Sequence, residues 1–428
     1  MIKAYLRTVN RMAAFEKFIA GRLYASGDRT KGGTRPAVII AMTGVAMGLA
    51  VMILTLAITR GFRHQVSEKV TGFSQDIRVI NYDVSMGEEE LPMSCMQWML
   101  DSLNASGNIT HAQRFAAKAG LLRTDSTFQG FLLKGVGQEF DFSFMESCLL
   151  EGTVPECTDT AASGRILISK KMADILEVSV GDRVDACFMQ EHIRARKFEV
   201  SGIYQTNFSE YDRLYAITDI YTLQKLNGWE PYQVTGVEVR AANNDEDPLY
   251  DAYLAARNVF NAAADRFGER YLIQTTQQLN AGLFAWLDVL NVNVGMILLL
   301  MMGIAGFTII SGLLIIIFER TSTIGILKAM GASDSSIRKT FLILASRIVL
   351  RGMLLGNVIG VALCLIQQKF RLVPLDPENY YLDSVPCELQ LWWLVLLNIV
   401  TFVLSVLMLV GPSSAISRVK PSKSIRFE

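Results

Sequence analysis

The residues whose types and spacing point most directly to a chemical task form one short run, 319–333, which reads Glu319-Arg320-Thr321-Ser322-Thr323-Ile324-Gly325-Ile326-Leu327-Lys328-Ala329-Met330-Gly331-Ala332-Ser333. Its chemistry is that of a contact surface, and it is too short to be a catalytic domain. Ser322 or Thr323 is placed to cap a short helix over 324–330 by accepting a hydrogen bond from an exposed backbone N–H. Gly331 supplies the left-handed turn that ends such a helix. Ser333 then caps a second helix, with Asp334 favourable in its first turn. The predicted product is a bent, half-buried elbow presenting Ile324, Ile326, Leu327 and Met330. An ordinary connector with an interfacial apolar face would carry the same pattern.

Reaction chemistry is missing from the rest of the chain. No Gly-x-x-x-x-Gly-Lys-Ser/Thr phosphate loop occurs, so ATP is not held here in the P-loop manner. His64, His111 and His192 are far apart and fit no metal-ligand spacing. There is no Gly-x-Ser-x-Gly elbow and no His-Glu-x-x-His. Glu88, Glu89 and Glu90 read as a solvated charge run. The 41 basic and 41 acidic residues balance, and neither sign argues for nucleic acid. We therefore expect no enzyme, no metal and no cofactor in this chain.

The elements that must position the elbow are apolar. A hydrocarbon core of roughly 30 Å needs about 20 apolar residues, and four stretches supply them: 37–59, 293–318, 341–366 and 391–411. The third carries Arg347, read as snorkelling to the headgroups, and Arg351, which has no assignment. Residues 1–36 hold Lys3, Arg7, Arg11, Lys17, Arg22, Arg29, Lys31 and Arg35, and the tail 412–428 is basic too. The loop 367–390 is acidic instead, with Asp376, Glu378, Asp383 and Glu388. That bias predicts cytoplasmic termini, a cytoplasmic coupling segment over 319–340, and extracytoplasmic placement of 60–275 and 367–390. The first span has a long basic flank and a poor cleavage site near Ala57, so it reads as a retained anchor.

Residues 60–275 predict an α+β domain inserted between the first two spans. Strands are expected at 76–80, 130–135, 166–169, 183–188, 197–204, 214–218 and 236–240, and helices at 94–103, 170–176, 220–226 and 248–267. Pro248 and Gly268 punctuate the last helix. From Thr276 the apolar spacing of Leu279, Leu283, Trp286, Leu287, Leu290 and Val294 predicts an unbroken stalk helix, 276–292, running into the second span. A stalk merely packed on its own domain would look the same. Cys148 and Cys157 could close a small loop, or all four cysteines of this domain could be buried thiols.

The run 319–333, continued by Ile337 and Phe341 and followed by Gly352, Gly356 and Gly360, resembles the signature of FtsX-like, MacB-type ABC transporter permeases. Other segments resemble the lipoprotein-releasing (Lol) branch: 18–24 as an N-terminal interfacial amphipathic helix, Gly61-Phe62, 72–74, 150–152, 181–184, 198–204, 210–212, and Pro374-Leu375-Asp376 with Tyr380, Tyr381 and Pro386. The resemblance implies a membrane protein of four transmembrane helices with a large MacB-type α+β periplasmic domain between helices 1 and 2, in the bacterial inner membrane. It implies a permease subunit that extracts lipoproteins from the outer leaflet. Its partners would be a cytoplasmic ABC ATPase dimer that binds ATP and Mg, a second permease subunit (same or homologous), the lipoprotein, and a periplasmic chaperone whose docking at the short basic hairpin 185–197 is left open. The ATPase-coupling residues implied are Glu319, Arg320, Thr323, Ile324, Gly325, Leu327, Lys328, Met330, Gly331 and Ala332. Where the family usually has an acidic residue this chain has Thr323, which removes a salt bridge but leaves a capping hydroxyl. Met42, Met47, Val51 and Leu54 are the candidate lining of an apolar cleft, with Gly44 and Gly48 suited to close helix contact, and Tyr380 and Tyr381 would sit near the outer membrane surface. An efflux permease of the macrolide-exporter type and a mechanical regulator of wall hydrolases are the rival readings.

Overall fold

The computed structural model describes residues 34–83, 91–124, 127–188, 194–242 and 247–413. The interfacial helix expected at 18–24, the Glu88–Glu90 run, the tip of the 185–197 hairpin and the basic tail lie outside the described residues. Among the described residues, four helices are long and apolar enough to cross a membrane: Thr34–Ser74, Ala281–Glu319, Asp334–Phe370 and Leu391–Ser413. The first three outrun the apolar stretches that predict them. The first continues past 59 to Ser74 because nothing between Arg60 and Ser74 breaks it: its glycines, Gly61 and Gly72, are single and tolerated.

The chain divides into two compact units. The helical unit comprises the residues up to Arg63, Leu287–Val373, and Val385 onward. Glycines bring its helices to backbone contact. A Cβ on Gly352 would lie 2.8 Å from the Met42 carbonyl oxygen, and one on Gly356 would lie 2.7 Å from that of Ala46. Gly360 sits likewise against Ile53, and Gly48 faces Ala305 on the second span. The first span is thereby held between the second and third. Asn357 and Asn398 join the third and fourth spans by reciprocal amide hydrogen bonds of 2.7 and 2.9 Å, satisfying polar groups that would be costly in hydrocarbon. Arg347 and Arg351 are both exposed on the third helix.

The α/β unit comprises His64–Trp286 and Pro374–Ser384. Its strands are β1 (Ile77–Asn81), β2 (Met93–Ser94), β3 (Ile109–Arg123), β4 (Phe128–Val136), β5 (Leu149–Gly152), β6 (Arg165–Ser169), β7 (Arg183–Phe188), β8 (Arg194–Tyr204), β9 (Tyr215–Asp219), β10 (Gln233–Val234), β11 (Gly236–Ala241) and β12 (Tyr271–Thr275). Ten of them form one sheet in the order β12-β1-β11-β3-β4-β9-β6-β8-β5, with β7 bridging β3 and β8. Pairing from β3 through β4, β9, β6, β8 and β7 returns to β3, so six strands close a ring. Phe131, Ile166, Phe188, Phe198 and Val200 belong to its buried core. Helices Gln97–Asn104 and Pro248–Phe267 pack against the open wing of the sheet. All seven expected strands and all four expected helices are present.

A buried ion pair ties this unit together. Lys134 on β4 and Glu238 on β11 have side chains only 4% and 3% exposed, with Nζ 2.7 Å from Oε1. The same ammonium donates to the Phe73 carbonyl at 2.5 Å, capping the end of the first helix, and Gln113 Nε2 donates to Glu238 at 2.9 Å. Burial pulls the Lys134 amine below its ordinary range, against the attraction of Glu238. Removing one partner strands the other charge, at a cost of about 3–5 kcal/mol. Lys134→Met is expected to lower the thermal midpoint of the detergent-solubilised chain sharply, and Lys134→Met with Glu238→Leu to recover more than half of the shift. A double variant as unstable as the single one would place the cost in the lost bond to Phe73.

Candidate coupling surface and loop clasp

The elbow forms, with different capping from that expected. Its helix runs Thr321–Ala329 and starts after Arg320, whose side chain makes no cap. Thr321 Oγ1 donates back to the Phe318 carbonyl at 2.6 Å, so that hydroxyl finishes the second span. Ser322 and Thr323 lie inside the helix and cap nothing, which corrects the expected start at 324. The end is as the glycine implies. Gly331 has φ +88°, its N–H donates to the Lys328 carbonyl, and the Ala332 N–H donates to that of Leu327, each at 3.0 Å. This is the paired bonding of a Schellman turn. Ser333 Oγ accepts from the Ser336 N–H at 3.3 Å and opens the third span, while Lys328 Nζ lies 2.9 Å from Asp334.

Burial sorts the elbow residues. Ile324 is fully buried and Gly325 is buried with it, while Leu327 and Ala332 pack on the helical core. Ile324 is therefore a pin into the bundle and is not presented as expected. Arg320, Thr323 and Lys328 are half-buried, and Glu319 is exposed. What remains for a partner is Ile326 (50% exposed) and Met330 (78%), flanked by Ala329 and Gly331. The candidate cleft residues divide in the same way. Met42 and Leu54 pack against the helical core, Val51 is half-buried, and Met47 stands 68% exposed on the first span. On the second span Leu299, Leu300 and Phe307 are exposed apolar side chains.

The stalk is not one helix. A turn over Thr276–Leu279, closed by a Thr275–Gln278 capping box, ends at Asn280, and the long helix begins at Ala281. Asn280 breaks the run because its side chain finds other partners: Nδ2 donates to the Thr276 carbonyl at 3.1 Å and Oδ1 accepts from Tyr211 at 3.2 Å. Leu283 is half-buried, Trp286 is partly exposed and Leu287 is buried.

A second constellation was not expected from the sequence. In the α/β unit, Pro374–Ser384 folds back on itself through a Pro374–Ser384 bridge and a Leu375-to-Asp383 hydrogen bond. Lys69 Nζ donates to the carbonyls of Thr206 (2.5 Å) and Tyr381 (2.7 Å), stitching that loop to 206–212. Asn207 Nδ2 donates to both Asp383 oxygens at 2.7 and 2.8 Å, and the Tyr381 ring lies 4.6 Å from that of Phe208. Asn207 and Tyr381 both take left-handed backbone, at φ 60° and 61°. Asp212 orders the receiving turn by accepting from Thr206 and Asn207. Burial raises its pKa, with those hydrogen bonds opposing. Tyr381 is thus engaged in the clasp, and Tyr380 stands 46% exposed. A Lys late in a helix and an Asn and Asp in distant loops carry no periodic signal, so only the three-dimensional pairing reveals the clasp.

Residues 38–257, just over half of the chain, match the MacB-like periplasmic core domain, and residues 295–421 match the FtsX-like permease C-terminal domain. The chain belongs to the MacB-like periplasmic core family, with an FtsX-like C-terminal domain. The lipoprotein-releasing system transmembrane protein LolC of Xylella fastidiosa is 24% identical over 427 residues, covering 95% of this chain and 98% of the relative. LolE of Haemophilus influenzae is 20% identical, covering 89% and 92%. A macrolide export ATP-binding/permease protein MacB of Paracoccus denitrificans is 21% identical over 74% of this chain and 47% of its own length.

The sorting of the elbow has a direct test. Ile324→Ala is expected to cost about 2–5 kcal/mol by emptying a filled core site, whereas Ile326→Ala stays within about 0.5 kcal/mol. Thermal melts of both variants in detergent would read the contrast, and equal shifts would refute it.

Proposed function

We propose that this chain is a permease subunit of an ABC transporter that extracts lipoproteins from the outer leaflet of the bacterial inner membrane for delivery to a periplasmic carrier. The end-to-end match to lipoprotein-releasing relatives, over 95% of this chain, carries the reading. Both termini are cytoplasmic in this proposal, and ATP and Mg are bound by a separate ATPase dimer at the elbow. A second permease, of the same or a homologous chain, completes the cleft. Exposed Met47 with Leu299 and Phe307 is the surface offered to acyl chains, and methionine suits a promiscuous lipid contact.

The energetics explain the need for a motor. Exposing a buried CH₂ costs about 0.8 kcal/mol, so one chain of about fifteen costs on the order of 12 kcal/mol. An apolar cleft offsets most of this, and ATP drives its closure. Binding of the ATPases moves the Ile326 and Met330 surface, and Ile324 carries that movement into the spans.

Two experiments test the proposal. A photoreactive residue at Met47 is expected to capture acylated lipoproteins in native membranes, while one at fully buried Leu49 captures none. Capture of a drug-efflux adaptor or a wall-hydrolase activator by the α/β unit in place of lipoprotein would replace the reading. Ile326→Asp with Met330→Asp is expected to cut ATPase co-purification at least about tenfold, a loss of roughly 1.4 kcal/mol or more, with the thermal midpoint unchanged. Undiminished ATPase capture would move the docking surface elsewhere.

A further inference from the structure

Within the helical unit, the polar ends of two charge-free runs meet. Arg60 is the first charged residue after Arg35, and Glu388 is the last before Arg418. Gly61 lets these ends approach: a Cβ there would lie 3.0 Å from the Pro386 carbonyl carbon and 3.1 Å from the Glu388 nitrogen. The Glu388 N–H donates to the Ala57 carbonyl at 3.0 Å, which fixes the start of the fourth span against the first.

Beside that junction the two helices border an open groove of about 250 Å³. Its floor is apolar, with Ile53, Ala57 and Leu397 buried, and its mouth carries Arg60, Glu388, Gln390 and Trp393. Ile53 and Leu397 each stand seven residues from a mouth residue, Arg60 and Gln390, so the groove runs about 10 Å from polar to apolar end. Such a space is smaller than the roughly 300 Å³ of a drug-sized site and suits a segment of one flexible chain. The mouth is ordered. The Arg60 guanidinium lies 3.8 Å from the centre of the Trp393 ring, and its Nη1 donates to Gln390 Oε1 at 2.6 Å. Gln390 Nε2 donates in turn to Glu388 Oε1 at 2.9 Å, so one amide holds a cation and an anion on either side. Stacking fixes the plane of the guanidinium, and Gln390 takes one of its five N–H donors. Trp392, 70% exposed, and Trp393 mark the level of the lipid headgroups.

We propose that this groove holds one zwitterionic membrane phospholipid as a resident ligand, its phosphate on the Arg60 guanidinium, its headgroup ammonium on Glu388 and one acyl chain along Leu56 and Leu397. Charge complementarity selects the occupant. A stacked guanidinium is suited to phosphate oxygens, and the neighbouring carboxylate to an amine. An anionic lipid lacking the amine would set a second negative charge beside Glu388, and a free headgroup would leave the apolar floor unfilled. The site is separate from the surface offered to cargo: Met47 lies about 140–180° round the first helix from Leu56 and Arg60. The proposal therefore holds whatever the cargo is.

Native mass spectrometry of the full chain, purified from its membrane in mild detergent with its co-purifying subunits, provides the test. The expected result is a tightly retained phospholipid with an ethanolamine headgroup. Arg60→Gln should lower that retention about tenfold or more, as loss of a charge-assisted hydrogen bond predicts, with the thermal midpoint unchanged. Leu397→Trp, which fills the floor and leaves the mouth intact, should lower it too. On the delipidated wild-type chain, phosphatidylethanolamine should outcompete phosphatidylglycerol, and Glu388→Gln should erase that preference. A photoreactive residue at Leu56 should capture phospholipid. Retention undiminished in Arg60→Gln, equal binding of the two lipids by the wild-type chain, or capture of lipoprotein in place of phospholipid at Leu56 would each overturn the proposal. The headgroup preference needs no variant, so it decides even where Arg60→Gln fails to fold.

Discussion

The arrangement of the spans depends on one contact, the approach of the first and third helices over Gly352, Gly356 and Gly360. At two of these glycines the neighbour is a backbone carbonyl, of Met42 and of Ala46, at a distance no side chain could share. In hydrocarbon there is no hydrophobic force between helices, so association rests on close van der Waals contact and on satisfied polar groups. The glycines supply the first and the Asn357–Asn398 pair supplies the second. The faces left over carry exposed apolar side chains, Met47 on the first span and Leu299 and Phe307 on the second.

The third span is continuous with the elbow. It begins at the Ser333 cap, directly after the elbow, and ends where Arg371 turns left-handed into the clasped loop. Its 37 residues make a rod of about 55 Å. Ile324 and Phe341 lie in one core with the first span, so displacement of the elbow cannot be absorbed locally by a loose linker. Within the α/β unit, Lys69 and Asn207 hold the loop Pro374–Ser384 through an ammonium and an amide. Asn280 interrupts the predicted stalk helix, whereas the third span runs unbroken over its 37 residues.

How much of this was legible follows from what periodicity records. The four spans, the inserted domain and most of its strands follow from apolar runs and β-branched residues. β3 escaped because Ile109–Arg123 is rich in Ala, Gln, Lys and Arg, a helix-like composition. It is nonetheless the strand that pairs on both sides and closes the ring, so tertiary pairing overrode local preference. The elbow was legible at its end, where Gly331 has one conformational use, and not at its start, where several hydroxyls compete for the same role. Which elbow side chains face inward was not legible, since Ile324 and Ile326 are the same residue type two positions apart. The clasp was invisible because its partners are separated by more than 130 residues.

The buried pair of Lys134 and Glu238 shows what the inserted domain trades for its position. An apolar replacement would cost less desolvation, yet the ammonium also caps the carbonyl of Phe73, where the first span's helix ends. That carbonyl is one of the unpaired acceptors every helix leaves at its C-terminus, and here it is buried beside β4. No apolar side chain could satisfy it, and a lone lysine would be too costly to keep charged. Glu238 makes the cation tolerable, and Gln113 satisfies the carboxylate in turn. The polar core thus follows from burying the helix end at Phe73 beside β4, and the same helix carries Lys69 to the clasp.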